Sequence, residues 1–250
     1  MQIFNNHRFG QTPKGNRLER LKKSENYVNG EFNNLHKTPV FTPEENRFRV
    51  MMDFMFRKKD RLTPEYALPA VKTDINALDR DDDTLVWFGH SSYFMQLKGI
   101  TFLVDPVFSD FASPFSFANK AFKGTNVYSY EDFPSIDFLI ITHDHWDHLD
   151  YETIMNFKAK IQHVVCGLGV GQHFEYWGFD PSVITELDWY EGMTPAPGWR
   201  LTATPARHFS GRGLKRNKTL WVSYALQSPG YNLFLGGDGG YDTHFSDIGA

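Results

Sequence analysis

The feature that most constrains this chain is the run His143-Asp144-His145-Trp146-Asp147-His148. It follows residues 136–142, an apolar segment too short for a helix, which predicts a buried strand. Imidazole nitrogens and carboxylate oxygens are ligands that zinc prefers. On a loop, His143 and His145 can point to one side while Asp147 and His148 turn towards a second point nearby. The run therefore predicts a site for two metal ions, and the alternative is a solvated loop rich in His and Asp.

Composition indicates a globular chain. Of its 250 residues, 41% are hydrophobic and 22% charged, and the net charge of −4 provides no basic field for nucleic acid. No run approaches the roughly 18 apolar residues of a membrane span, and the first residues lack a signal-peptide pattern. The single cysteine, Cys166, excludes an intramolecular disulfide and is predicted to be a small core residue. We expect a cytoplasmic protein, and peripheral membrane contact and an oligomer stay open.

Residues 1–82 differ in pattern from residues 83–250, and the charged stretch 80–83 marks the predicted boundary. We expect the first part to be an extension that packs on the core of the second. Leu18 and Leu21 predict a short helix, whose basic neighbours indicate a solvated face or, as the alternative, a contact with anionic lipid. Thr42-Pro43-Glu44-Glu45 predicts the start of another helix, whose apolar stripe from Phe48 to Met55 is expected to pack in the core.

From Thr84 onwards short apolar segments alternate with turn signals. They predict strands over 84–88, 93–97, 101–104, 136–142, 163–166, 183–186, 200–204, 219–226 and 231–235, and helices over 151–160 and 169–177. This order favours a sandwich of sheets with helices outside. A loop rich in phenylalanine, residues 108–122, is either an apolar wall for acyl chains or part of the core.

Two later loops carry further metal-ligand candidates. His208 and Asp238 each follow a predicted strand, and the glycines at 236, 237, 239 and 240 would let the backbone approach a ligand closely. Each signal is weak alone, but together with the run at 143–148 they indicate one composite metal site.

The sequence resembles the metallo-β-lactamase fold superfamily. Within it, the chain resembles the branch that contains N-acyl-phosphatidylethanolamine-hydrolysing phospholipase D and its bacterial zinc-dependent hydrolase relatives. The motifs that carry the resemblance lie at residues 87–92, 103–110, 142–150, 204–213, 217–221 and 237–249, with a further match at 9–15. The resemblance implies an α/β fold of the αββα sandwich type.

The resemblance also implies a role for each matching residue. His143, His145 and His208 would hold one zinc ion, Asp147 and His148 the second, and Asp238 would bridge both, with Asp147 and Asp238 as catalytic residues. Asp105 would orient a ligand imidazole. The matches near the cleft are His90, for which a capped turn is the alternative, and His244; Arg207 and Arg212 are anion clamps or surface cations.

These roles imply a metal-dependent hydrolase. Two zinc ions would supply hydroxide at neutral pH for attack on a phosphodiester, and the substrate would be a phospholipid-like ester. The alternatives are a lactonase or other small-ester hydrolase, and an inactive metal-binding protein.

Proteins of this branch supply one more histidine to the second metal, well after the stretch that matches Gly237–Tyr241. This chain ends at Ala250, and His244 follows Asp238 too closely to correspond. We therefore expect the C-terminal part of the sandwich to be missing, the second metal to be weakly held, and the strand at 231–235 to expose an apolar face.

Overall fold

The computed structural model describes residues 7–38, 46–56, 62–115 and 119–249. The strands are β1 (Tyr27–Val28), β2 (Glu31–Phe32), β3 (Thr84–Gly89), β4 (Ser92–Leu97), β5 (Ile100–Val104), β6 (Ile136–Ile141), β7 (Ile161–Gly167), β8 (Ile184–Leu187), β9 (Gly192–Met193), β10 (Arg200–Thr204), β11 (Ser223–Ser228) and β12 (Tyr231–Leu235). The helices are α1 (Gly15–Leu21), α2 (Arg47–Phe56), α3 (Tyr151–Phe157), α4 (Gly171–Tyr176) and α5 (His244–Ile248). The predicted helix start at Thr42 lies outside the described residues, as does Phe117 of the phenylalanine-rich loop.

Two sheets form the body of the molecule. The larger has the order β3-β4-β5-β6-β7-β8, antiparallel from β3 to β5 and parallel from β5 to β8. The smaller is antiparallel, with the order β12-β11-β10-β9. Because β5, β6 and β7 run parallel, the loops that follow them leave the same edge of the larger sheet.

The alternation of side chains along the larger sheet divides the core in two. Met95, Val104 and Ile140 face a core that also contains Leu201 and Tyr224 of the smaller sheet. The side chains between them in sequence face an outer core, where helices α3 and α4 bury residues such as Ile154 and Phe174; Cys166 lies there too and is fully buried, as predicted. The order of layers confirms the predicted sandwich with helices outside, whereas the missing C-terminal part stays a prediction.

The N-terminal arm, defined here as residues 7–38, is built into this core. Leu21 of α1 and Phe32 of β2 are fully buried among the residues between the sheets. The expectation of a solvated basic face is wrong at Arg17, which contacts Glu175 at 2.7 Å and Glu186 at 2.6 Å and is only 14% exposed. A largely buried cation with two carboxylate partners is positioned by those partners and not by solvent.

Helix α2 departs from the prediction in the opposite direction. Its Phe48 is 67% exposed and its Phe56 70% exposed, so the expected core packing of this stripe is wrong at Phe48. None of the helices in the described residues has the length and apolar character needed to cross a membrane.

The phenylalanine-rich loop packs in the core in part, and its role as a wall for acyl chains stays a prediction. Phe108 packs at 5.5 Å from Phe133 and 5.7 Å from Phe157, in the outer core. Phe115 and Phe122 are exposed to 39% and 44%. The loop therefore begins in the core and ends at the surface.

Candidate metal centre

The predicted ligands of the first metal converge at the ends of two strands. His143 and His145 follow β6 and His208 follows β10, so residues 63 positions apart in sequence meet here. His143 Nε2 lies 2.9 Å from His145 Nδ1, and His208 Nε2 lies 3.2 Å from that same atom. The three rings thus present three nitrogens to one point.

The second group contains His90, Asp147, His148 and Asp238. His90 Nε2 is 3.1 Å from Asp147 Oδ2, and His148 Nε2 is 3.4 Å from Asp238 Oδ2. His90 lies in the turn after β3 with φ +47, a left-handed conformation uncommon for histidine. The sequence analysis left a capped turn as the alternative role for His90. In the structure this turn directs the His90 ring towards the second group.

One buried carboxylate orients an imidazole in each group. Asp105 Oδ2 lies 2.8 Å from His148 Nδ1 and accepts a hydrogen bond of 2.6 Å from the hydroxyl of Thr142. Since that hydroxyl donates to Asp105, it must accept from His143 Nδ1, 3.0 Å away. His143 therefore carries its proton on Nδ1 and presents a free Nε2 to the cluster, while His148 donates its Nδ1–H to Asp105.

The chemistry of these donors fits metal ions. Tetrahedral zinc with bonds of 2.0–2.1 Å separates its ligand atoms by about 3.3 Å, close to the nitrogen spacing of the first group. His148 Nε2 is buried without a hydrogen-bond partner among the described residues, although an orphaned buried nitrogen is costly. In each group the ligand atoms all lie within 4.8 Å of one another. Three nitrogens face one point, and two nitrogens and two carboxylates face another.

Electrostatics favour the metal-binding form of the first group. Burial lowers the pKa of His143 well below its ordinary value, and it also lowers the pKa of His145. Burial and the neighbouring His145 lower the pKa of His208 to about 4. Neutral imidazole is the form that binds a metal, so this group is ready at neutral pH.

The second group has the opposite balance of charge. Burial disfavours a charge on His148, but the Asp105 carboxylate outweighs it and raises the pKa of His148 to about 10. Burial also opposes ionisation of Asp147, but the hydrogen bond from His90 and the charge of His148 lower its pKa to about 2. The contact with His148 at 3.4 Å lowers the pKa of Asp238 despite partial burial. The group therefore offers ionised carboxylates to a cation.

The remaining aspartate of the hexapeptide holds the loops together. Asp144 is buried and accepts from the Gly211 amide at 2.6 Å and from the Thr219 hydroxyl at 2.9 Å. Its Oδ2 also lies 3.2 Å from His173 Nε2. The anchoring role of Asp144 has no local sequence signal, because its partners come from loops far away in the chain.

A glycine allows the Asp238 loop to approach the hexapeptide. Gly237 has φ +61, and a Cβ at this position would lie 2.6 Å from Thr142 Oγ1. The close approach thus requires glycine in both conformation and size.

Three other sequence candidates lie outside the two groups. Arg212 is 4% exposed and donates to the carbonyls of Arg8, Asp144 and Leu149, so the alternative of a surface cation is wrong and the role of anion clamp stays a prediction. Arg207 donates to Thr38 Oγ1 at 3.0 Å and to the Tyr241 carbonyl at 2.9 Å. His244 is buried in α5 against Phe245 and belongs to neither group.

Two contacts were missed by sequence reasoning. The Asn34 side chain in the N-terminal arm hydrogen-bonds to both the amide and the carbonyl of His208. The Thr142 hydroxyl links His143 to Asp105. Thr142 adjoins the hexapeptide and follows a strand, which is a weak local signal. Asn34 carries no such signal, because its partner lies 174 residues away.

Comparison with known proteins identifies the family. The family model described as beta-lactamase superfamily domain matches residues 101–250. An uncharacterized protein of Mycobacterium tuberculosis is 34% identical over 230 residues, which cover 92% of this chain and 62% of that protein. The N-acyl-phosphatidylethanolamine-hydrolyzing phospholipase D 1 of Caenorhabditis elegans is 34% identical over 173 residues, 65% of this chain and 49% of that protein. The chain thus spans less than two thirds of the length of these relatives.

Solved structures resemble the chain over a similar share of its length. The diiron beta-hydroxylase CmlA of Streptomyces venezuelae is 26% identical with a TM-score of 0.48, covering 63% of this chain and 30% of CmlA. The metallo hydrolase Igni18 of Ignicoccus hospitalis is 23% identical with a TM-score of 0.47, covering 66% of this chain and 64% of Igni18. The matched family model and the sandwich described above show that the chain belongs to the beta-lactamase superfamily and has the metallo-β-lactamase fold.

Proposed function

We propose that the chain is a metal-dependent hydrolase of the phospholipase D type, which cleaves a phosphodiester in a phospholipid-like ester. The observation that carries the proposal is the pair of adjacent donor groups beside an open cavity. The relatives described as N-acyl-phosphatidylethanolamine-hydrolyzing phospholipases D support the substrate class.

In this proposal the two groups hold two metal ions. His143, His145 and His208 bind the first, and His90, Asp147 and His148 bind the second. Asp238 would contribute its carboxylate to both. Such nitrogen and oxygen donors suit zinc and also iron, and we propose zinc. When bound, the metals lower the pKa of water and stabilise the negative charge that develops on an ester during hydrolysis.

The protein residues orient the reaction around these ions. Asp238 is 35% exposed at its side chain and adjoins the second group, so its carboxylate can accept a proton from an attacking water and hold it in line. Asp147 Oδ2 lies 3.1 Å from His90 Nε2, and the Asp147 side chain is 43% exposed. Both carboxylates are therefore partly exposed, and Asp147 lines the cavity next to the second group.

A cavity of about 430 Å³ adjoins the second group and supports an apolar substituent on the substrate. His90 and Asp147 lie on its wall, and Phe88, Val107 and Phe122 supply apolar surface. Lys120 also lines the cavity and provides a cation for an anionic group. An ester that carries both an acyl chain and a phosphate would match this lining.

The location and the partners belong to the same proposal. We propose a cytoplasmic protein that reaches a lipid substrate by peripheral contact with a membrane. A soluble small-molecule ester is the alternative substrate.

Hydrolysis by the purified, metal-loaded chain tests the proposal. The substrates are bis(p-nitrophenyl) phosphate, an N-acyl-phosphatidylethanolamine and a simple lactone, with metal content measured on the same sample. We expect the wild type to hydrolyse both phosphodiesters. His145→Ala should lose both this activity and the bound metal.

Three results would overturn this reading. Turnover of the lactone alone would indicate a lactonase or small-ester hydrolase. Bound metal without any turnover would indicate a metal-binding protein. Full activity of metal-depleted His145→Ala would exclude metal-dependent hydrolysis.

A further inference from the structure

The N-terminal arm contacts the loops that carry the metal ligands on more than one side. The Arg8 carbonyl accepts from Arg212, whose guanidinium also binds the Asp144 carbonyl inside the hexapeptide. The Gln11 amide donates to His173 Nδ1 at 3.1 Å, and the opposite nitrogen of that ring contacts Asp144. These two contacts brace the hexapeptide loop from outside.

The third contact is made directly to a ligand residue. The Asn34 side-chain NH₂ donates to the His208 carbonyl at 2.9 Å, and the His208 amide donates to Asn34 Oδ1 at 3.0 Å. The same Oδ1 accepts from Trp221 Nε1 at 3.0 Å, and Trp221 is 1% exposed. Asn34 is thereby fixed to the buried core while it holds both polar groups of the His208 backbone.

Among the described residues, the His208 backbone lies outside the strands and its amide and carbonyl both hydrogen-bond to Asn34. It lies four residues beyond the end of β10, and the isolated bridge at Arg207 pairs the preceding residue with Gly240. His143 and His145 lie two and four residues beyond the end of β6, but they belong to a loop that Asp144 and Asp105 anchor. Of the three rings in the first group, that of His208 is the one whose position depends most on a residue of the N-terminal arm.

We propose that Asn34 is a positioning residue that fixes His208 for the first metal, so that the N-terminal arm is an integral part of the metal centre. The inference rests on the proposed metal role of His143, His145 and His208. Residues that orient a metal ligand typically change metal affinity about 10–100-fold when they are replaced. The same range applies to a residue that holds the backbone of a ligand from both sides.

Cobalt(II) titration of the metal-free full chain tests the proposal, with visible absorption as the readout. Asn34→Ala is expected to lower the affinity of one cobalt equivalent about 10–100-fold and to change its absorption spectrum, and to leave the other equivalent unchanged. Asn34→Asp keeps an acceptor for the His208 amide but loses the donor to its carbonyl, so it should fall between Asn34→Ala and the wild type. Asn33→Ala is the matched control, since the Asn33 side chain donates to the Glu31 carbonyl at an exposed position.

A readout without metal separates the role of Asn34 from general stability. Hydrogen exchange of the His208 amide should become faster in Asn34→Ala, while the amides of β6 keep their protection. If the wild type binds cobalt and Asn34→Ala binds both equivalents as tightly with the same spectrum, the inference is overturned and the proposed function stands. If the wild type binds no cobalt, both the proposed function and this inference fail. If Asn34→Ala does not fold, wild-type cobalt affinity and spectrum in Asn34→Asp overturn the inference.

Discussion

Asp105→Asn isolates the contribution of the carboxylate that orients ligands in both groups. Asp105 is fully buried and has φ +41, a left-handed conformation that asparagine adopts more readily than most residues. The substitution therefore keeps the backbone and the size of the side chain. It removes the charge and replaces one acceptor oxygen by an NH₂ group.

The magnitude follows from the contacts of Asp105. The Thr142 amide can still donate to the remaining oxygen, from 2.8 Å. At the second position, the new NH₂ would face two donors, the Thr142 hydroxyl and His148 Nδ1–H. Hydrogen bonds to charged groups contribute about 1.5–3 kcal/mol, and each 1.4 kcal/mol is about tenfold in affinity. We therefore expect metal affinity to fall about 10–100-fold, which agrees with the usual effect of losing such a partner.

Competition for zinc with a chromophoric chelator measures this change. Asp150→Asn is the matched control, because Asp150 is also buried but accepts from the Ser109 amide at 3.1 Å and the Thr153 hydroxyl at 2.6 Å. We expect the control to bind zinc as the wild type does. A folded Asp105→Asn protein with unchanged zinc affinity would refute the reasoning.

Three further predictions concern other parts of the molecule. Gly237→Ala should lower the free energy of unfolding by about 1–3 kcal/mol in urea denaturation, because its Cβ would meet Thr142 and its φ is +61; an unchanged midpoint would contradict the close approach. Arg17→Met leaves Glu186 buried without its cation and should lower the free energy of unfolding by about 3 kcal/mol. Arg20→Met removes an ion pair with Glu191 whose side chains are 46% and 49% exposed, and should lower it by less than about 1 kcal/mol. Equal losses in the two variants would argue against the buried pair. Phe122→Ala should raise KM about fivefold for a substrate with a long acyl chain, since about 1 kcal/mol of apolar contact is lost. It should leave kcat and the KM of a short-chain substrate unchanged. If wild type and variant each have the same KM for both chain lengths, the cavity does not bind the acyl chain.

The parts of the fold that the sequence predicted are those with a local signal. The strands and the hexapeptide are predictable because each signal lies within a few consecutive residues. The strands Arg200–Thr204 and Tyr231–Leu235, for example, have the expected bounds. Helix α3 ends at Phe157, three residues earlier than predicted. Its last predicted turn instead leads into β7, which begins at Ile161.

The contacts that the sequence could not predict join distant segments. Arg17 meets Glu186 across 169 residues, and a basic stretch in a helix has the same pattern whether it faces water or two carboxylates. Arg212 has the residue type of an anion clamp, but its use depends on which carbonyls surround it in the folded chain. His90 joins Asp147 from 57 residues away because of a left-handed turn that its sequence does not prescribe.

The hydrogen-bonded chain through Asp105 has a consequence for metal loading. His143, Thr142, Asp105 and His148 form one continuous path, with separations of 3.0, 2.6 and 2.8 Å. Bonds in such a chain polarise one another. A cation on His148 would strengthen its Nδ1–H as a donor and draw charge from Asp105, so the Thr142 hydroxyl would support His143 less well. Coupling between two binding events is reciprocal. The two sites are therefore expected to fill with negative cooperativity, the second ion binding more weakly than the first even if the isolated sites were equal.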